Sequence, residues 1–543
     1  MKRIIFTCII SLWAGCFAAA QNRGNSENFD PAMIASQREL MKLRMAYLAI
    51  TQLYVDETEN SKVTEDAIKA MLEKLDPHSS YTNAEETRRM NEPLEANFDG
   101  IGIQFDMLND TLYIVQVISG GPSEKVGLLA GDRIILVNDS LIAGVRMSNT
   151  GIRNLIRGKK GTEVHIKVKR GSMAELLEFK IIRDKIPVNS IDASYMADAK
   201  TGYIRLSRFA ATSLQEFEEC VSDLKKKGMK HLILDLQDNG GGYLHIAQVF
   251  ADQFLEKGRL IYYTQGNRMR RTNVQSTEKG LFMDGKLVIL VDESSASASE
   301  IVAGAVQDWD RGVIVGRRSF GKGLVQRAID LPDSSMIRLT VARYYTPSGR
   351  NIQKPYEKGN INAYNRDWID RYNRGELMSA DSIHFPDSLK YKTLLSQRTV
   401  YGGGGIMPDI FVPIDSMRRT EYHIRLAGYR LLDRMVINYL DKNRNELKKN
   451  YPNIKQFKEK FHIPDSMLQD LIAMASTENI EFNEEQFNIS KEMISFELKA
   501  YIASYLFQTS DYYEFINERS KTYQQALQII NDDELYHKIL NGS

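Results

Sequence analysis

The stretch LVILVDESSASASEIVAGAV, residues 287–306, changes its period in the middle. Leu287 to Val291 is an unbroken run of branched apolar residues, the pattern of a strand buried on both faces of a sheet. Ile301, Val302, Ala305 and Val306 then recur at helical spacing. Ser294, Ser295, Ser297 and Ser299 occupy the turn between. A side chain there projects from the carboxyl edge of the sheet, beside the positive end of a helix whose amides can stabilise an oxyanion. Ser297, with Glu300 three residues later, also has the form of a capping box. The cluster is therefore either the polar start of a helix or the seat of a nucleophile.

The same strand-to-helix rhythm extends from about 199 to 347. Thr201 to Leu206 reads as a strand leading to an amphipathic helix after Ser213, and Lys230 to Leu236 as a strand ending in Asn239-Gly-Gly-Gly242. Ile246 to Leu255 reads as a helix and Gly312 to Gly316 as a strand, so the segment is an α/β core. Upstream, Leu40, Leu43, Tyr47, Leu48 and Ile50, then Ala67, Ile68, Met71, Leu72 and Leu75, carry helical periodicity that stops at Asp76-Pro77. Gly100 to Arg183 alternates in short strands such as Leu112 to Ile118 and Val164 to Lys169, a small β-rich domain. Residues 354–398 read as a long surface excursion, and beyond Pro413 the chain is charged helix. The expected architecture is multidomain α+β: signal 1–20, helical region 21–85, β-rich domain 86–184, α/β core 185–415 and helical region 416–543.

With 543 residues, several domains are expected. Lys plus Arg at 71 against Asp plus Glu at 70 argues against a nucleic-acid or anionic-membrane partner held by bulk charge. Lys2 and Arg3, the apolar Ile4 to Trp13 and Phe17-Ala-Ala-Ala20 have the layout of a secretory signal, so the mature chain is expected from Gln21 in the periplasm or cell envelope. An alternative takes Ala14-Gly-Cys16 as a lipoprotein box with Cys16 lipidated, although Trp13 stands where such boxes usually carry Leu. No later stretch approaches the roughly 18 apolar residues of a membrane span. Cys8 and Cys16 fall within the signal, leaving Cys220 without a disulfide partner in the mature chain.

Two further clusters could act with the serines. Asn239-Gly-Gly-Gly242 ends another strand of the core, where glycines let backbone amides approach a substrate; alternatively it is a plain turn. Ser319-Phe-Gly-Lys-Gly323 places Lys322 between glycines. An ordinary lysine, with pKa about 10.4, is a poor base, but burial disfavours its cation and can make the amine a general base for serine; alternatively Lys322 is a solvated surface charge. His245 is the other candidate base, though it lacks an evident acidic partner. No HExxH or paired-cysteine spacing supports a metal, and no cofactor is expected.

Ser295 to Ile301, Ala303-Gly-Ala305, Gln307-Asp308, Ser319-Phe-Gly-Lys-Gly323 and Val325-Gln326 together resemble the carboxyl-terminal processing peptidases, secreted serine proteases also called tail-specific proteases. Leu75 to Tyr81, Tyr344 to Arg350 and Gly402 to Asp409 fit as well, so the resemblance covers roughly residues 65–415. It implies a Ser-Lys dyad with Ser297 as nucleophile and Lys322 as general base. It also implies Gln326, one helical turn on, as the residue orienting the lysine, and Gly241 and Ala298 as oxyanion-hole amides. Gln237 departs from the arginine the family usually has, leaving that arginine's ion pair in question.

Residues 98–132 similarly resemble a PDZ domain, with Gly100, Ile101, Gly102 and Ile103 in the loop that receives a peptide's terminal carboxylate while the peptide adds a strand to the sheet. The resemblance implies an exported endopeptidase acting on protein or peptide substrates with free carboxyl termini, and a homo-oligomer through the terminal helices. A catalytically inactive PDZ scaffold, an acyl-transfer enzyme acting on a thioester, and a general exported endopeptidase blind to carboxyl ends are the rival expectations.

Overall fold

In a computed structural model of the chain, residues 31–542 are described except 109, 119, 172, 279 and 415–418. The expected signal and Cys16 lie outside the described residues. Of the described residues, those up to Leu72 form one compact unit and those from Glu73 onward another. The first contains the helix Pro31–Leu53 and nearly all of the helix Asn60–Glu73, matching the periodicity read there.

The second unit is built on a six-stranded sheet in the order Ile191–Met196, Thr201–Leu206, His231–Asp235, Leu287–Val291, Val313–Gly316, Ile410–Phe411. Its first pair is antiparallel and the others are parallel. Leu287 to Val291 is buried at every position, as its continuous apolar run requires in a sheet covered on both faces. The helices Ser213–Lys226, Leu244–Asp252 and Ala298–Asp308 cover one face, around Phe217, Phe250, Leu234 and Val302. On the other, Ile233, Leu290 and Val313 pack against Tyr523, Ala526 and Ile530.

Those last residues belong to the helix Lys521–Asn531, in the region expected to lie outside the core. Its apolar face is instead spent on the sheet, because a parallel sheet has alternate side chains to bury on its second face as well. The preceding helices, Glu421–Gly428 to Thr509–Asn517, form a bundle that also reaches the small β domain. Tyr113 Oη donates to Asp441 at 2.5 Å, Arg133 pairs with the same carboxylate, and Arg430 pairs with Asp106.

That β domain has a sheet ordered Ile103–Leu108, Thr111–Val117, Arg133–Val137, Glu163–Lys169, Leu177–Ile182, packed around Ile114, Ile134, Val164 and Ile166. The antiparallel pair Asn97–Gly100 and Asp184–Pro187 closes its two ends together. A second antiparallel sheet of the core joins Ser80–Thr82 and Leu324–Asp330 to the long strand Met336–Tyr345.

Two expectations change here. Gln326 is not a helical turn past Lys322 but lies on the strand Leu324–Asp330, next to a register shift at Val325/Gln326. Residues 354–398 are not merely a surface excursion: they include the helix Ile361–Asn373 and the strand Lys390–Lys392. Arg371 of that helix is buried and donates to the carbonyls of Ser319 and Arg318 at 3.1 and 2.6 Å, holding the backbone just before Lys322.

Candidate active site

The strand Leu287–Val291 delivers the serine turn, and the turn is held by Asp292. Its carboxylate accepts the amides of Ser294 (3.0 Å) and Ser295 (3.1 Å) and, from the neighbouring strand end, that of Asp238 (3.1 Å). Burial, with Asp238 nearby, pushes the Asp292 carboxyl up to about 6. Ser295 and Ser299 are fully buried and satisfied internally: Ser295 Oγ donates to the Leu236 carbonyl at 2.7 Å and Ser299 Oγ to that of Asn239 at 2.9 Å. Ser297 alone of these three is partly exposed, and its backbone has φ 56° and ψ −108°, a region that costs a non-glycine residue of order 1–3 kcal/mol.

Ser297 lines a cavity of about 580 Å³ together with Gly240, Gly241, Gly242, Lys322 and Gln326. Lys322 Nζ donates to Gln326 Oε1 at 3.0 Å, and Gln326 Nε2 donates to the carbonyl of His78. His78 is fixed in turn, for Asp76 accepts the amides of His78 and Ser79 at 2.9 Å each and the hydroxyl of Thr340 at 3.0 Å. Burial, reinforced by the positive Arg338, pulls the Lys322 amine below the ordinary lysine range. Burial and the Lys322 charge pull His78 down to about 4, so its ring, 2.8 Å from the Tyr364 hydroxyl, is neutral at physiological pH. His245 is exposed against Tyr243 and does not line the cavity.

Glu300 ties the two halves of the site together. Its Oε2 accepts the amides of Ser297 (2.8 Å) and Lys322 (2.9 Å), and its Oε1 the amide of Gly321 (2.7 Å) and the Ser319 hydroxyl (2.5 Å). The carboxyl is 1% exposed, and burial raises its pKa against the pull of these donors. The capping-box spacing pointed to Glu300 only as a partner of Ser297. Its hold on Lys322 was missed, since that contact is made by a loop distant in sequence.

The glycine loop approaches the serine turn closely: a Cβ on Gly241 would come within 2.9 Å of Ser297 Cβ and 3.1 Å of the Ala298 amide nitrogen. Ala298 opens the helix Ala298–Asp308, where first-turn amides have no partner within the helix. The Gly241 amide, expected to face an oxyanion, is committed inside its own loop, donating to Asn239 Oδ1 at 2.9 Å. Asn239 is fully buried and folds back over the turn, its Nδ2 on the Leu206 carbonyl at 2.7 Å. Where an arginine was expected in place of Gln237, a guanidinium still stands beside the loop: Arg205, on the adjacent strand, reaches Asp235 at 2.8 Å and Asp238 at 3.3 Å.

In the small β domain, Gly100, Ile101, Gly102 and Ile103 line a separate hollow of about 60 Å³ with Phe98 and Phe105. The Ser123 and Ile118 amides take the carbonyls of Ile101 and Gly102 at 3.0 Å each, and Gly102 has φ +78°, so this loop is fixed by backbone contacts. Among the described residues no cluster of His, Cys, Asp or Glu is suited to hold a metal, and no helix is long and apolar enough to cross a membrane.

Comparison with known proteins matches residues 200–362 to peptidase family S41 and residues 100–181 to the PDZ domain. Residues 10–87 match an activating protease CtpB N-terminal domain, and residues 422–508 a family of unknown function. The chain is 34% identical over 359 residues to a carboxy-terminal-processing protease of Bartonella bacilliformis, covering 65% of this chain and 80% of that one. It is 35% identical over 326 residues to the carboxy-terminal processing protease CtpA of Bacillus subtilis, covering 59% and 68%. A solved photosystem II D1 C-terminal processing protease is 28% identical, with 58% of this chain and 90% of that one covered and a TM-score of 0.33. By its likeness to the Bartonella and Bacillus proteases and its match to the peptidase family, the chain belongs to the carboxy-terminal-processing proteases, serine peptidases of family S41.

Proposed function

We propose that this peptidase engages the free carboxyl end of an exported protein at the loop Gly100–Ile103 and cleaves the chain through an acyl-enzyme on Ser297, with Lys322 as general base. The observation that carries the proposal is the common cavity of Ser297 and Lys322, in which the amine is held below its ordinary pKa and oriented by Gln326. A neutral Lys322 Nζ takes the Ser297 Oγ proton as the oxygen attacks the scissile carbonyl, and returns it to the leaving amine. Water then repeats the sequence on the ester.

The Ala298 amide at the helix start receives the oxyanion, and the Gly241 amide joins it once substrate draws the glycine loop off Asn239 Oδ1. At the PDZ domain, backbone donors would read the terminal carboxylate and the hollow beside Ile101 and Ile103 the last apolar side chain. The secretory layout of residues 1–20 supports export of the chain to the periplasm or cell envelope.

Ser297→Ala and Lys322→Ala should each lower cleavage on the order of 10³-fold or more, and the double variant should be little worse because the pair acts as a unit. Near-normal cleavage by folded Ser297→Ala would end the proposal for the nucleophile. Equal rates on free-acid and amidated forms of one protein substrate, at subsaturating concentration, would end it for carboxyl-end recognition.

A further inference from the structure

We infer that the cleft between the PDZ domain and the protease core binds acidic side chains of the substrate, in the segment between its terminal carboxylate and the scissile bond. Three hollows adjoin one another. The small one at Gly100–Ile103 shares Phe98, Arg153 and Arg157 with a cleft of about 1280 Å³, and that cleft shares Pro93 and Arg208 with the cavity of Ser297. The second hollow thus offers a continuous path for polypeptide running from the first to the third, and the inference rests on the proposed roles of the loop and of Ser297.

The cleft is cationic although the chain as a whole is almost neutral. Of its lining, Arg88, Arg89 and Arg157 are paired with Glu85 and Glu92. Arg153, Lys159, Lys185 and Arg208 also line it, and among the described residues none of the four has a carboxylate within ion-pair distance. Against them stand only Glu95 and Asp99, and Asp99 already accepts the Lys160 amide at 3.0 Å. A concave wall of unpaired cations raises the local concentration of anionic groups and speeds their association. The anionic group that fits here is an Asp or Glu side chain, because the cleft opens at one end on a carboxylate-type loop and at the other on the nucleophile.

The test uses three protein substrates with the same apolar last residue, free carboxylate and scissile sequence, differing only in an intervening segment rich in Asp and Glu, in Ser and Gln, or in Lys. At low ionic strength kcat/KM should fall in that order, with roughly 5- to 50-fold between the acidic and neutral forms. The gap should close near 1 M salt, where the screening length is about 3 Å. In the doubly reversed variant Lys159→Glu/Lys185→Glu the order should invert or flatten, a melting curve confirming that the variant is folded. Equal kcat/KM for the three substrates at low salt, or an unchanged order in the folded reversed variant, would overturn the inference. Should the variant not fold, the wild-type order alone decides. Amidated copies of the same substrates separate the two claims: loss of the acid/amide difference removes carboxyl-end recognition, whereas loss of the charge order removes the cationic cleft.

Discussion

The backbone of Lys322 is suspended from Glu300: the amide donates to Glu300 Oε2 at 2.9 Å, on the same oxygen that accepts the Ser297 amide. One buried carboxylate thus sets the spacing between the two residues proposed to exchange a proton. Replacing it by glutamine keeps the shape but puts an NH₂ where two of four donors need an acceptor. Glu300→Gln should cost about 1–3 kcal/mol of stability and lower kcat more than it changes KM. A folded Glu300→Gln enzyme with unaltered kcat would show that Glu300 is only a helix cap.

The pH dependence follows from the direction of the Lys322 shift. Its folded pKa lies below the ordinary 10.5, so the neutral amine forms earlier as pH rises. Activity should climb with pH, with its midpoint below that of an unperturbed lysine. Lys322→Arg should be inactive throughout, since guanidinium keeps its proton. An active Arg variant, assayed over the same range, would place the base elsewhere.

Ser297 offers a comparison of strain. With φ 56°, its backbone suits glycine better than any side-chain-bearing residue. Ser297→Gly and Ser297→Ala should both be inactive, but the glycine protein should be the more stable of the two by about 1 kcal/mol in denaturant titration, the strain relieved exceeding the entropy that glycine adds to the unfolded chain. An alanine variant as stable as the glycine one would mean the turn stores no strain.

Asp76 acts on the lysine at two removes, through the His78 carbonyl and Gln326. Burial alone would raise its pKa, but hydrogen bonds from the Ser79 hydroxyl, the His78 and Ser79 amides and Thr340 hold it below the ordinary value. A depressed carboxyl pKa contributes stability that is present above the unfolded value, near 3.9, and is lost as pH falls through the folded one. Asp76→Asn should therefore flatten the acid limb of the stability curve below about pH 4. It should also lower kcat roughly 10-fold with little change in KM, as expected of a positioning residue. An unchanged acid limb would remove Asp76 from this account.

The serine turn was legible because a change from continuous to helical periodicity locates a strand-to-helix junction without any tertiary knowledge. Gln326 was found but misplaced: positions four apart share a face in a helix and, four being even, in a strand as well, so spacing alone could not choose. The apolar alternation of Leu324, Gln326 and Ala328 against Val325, Arg327 and Ile329 is ambiguous, and pairing with Met336–Tyr345 decides it. The commitment of the Gly241 amide was not legible, since the direction in which Asn239 folds depends on the Leu206 carbonyl of a neighbouring strand. The cationic cleft was hidden in the same way, its members coming from residues 88 to 208, within a balanced composition.

The packing of Tyr523, Ala526 and Ile530 on the central sheet bears on how this protein can be divided in the laboratory. The change of composition near Pro413 invites a shortened protein ending there, retaining every residue of the proposed chemistry. Such a fragment would present Ile233, Leu290, Val313 and Val315 to water along one whole side of its sheet, a sticky surface of the kind that drives precipitation. It would also free the PDZ domain from Asp441 and Arg430. Inactivity in a truncated protein of this kind would therefore report a damaged fold, and point substitutions in the intact chain are the sound way to learn what the residues beyond Pro413 do.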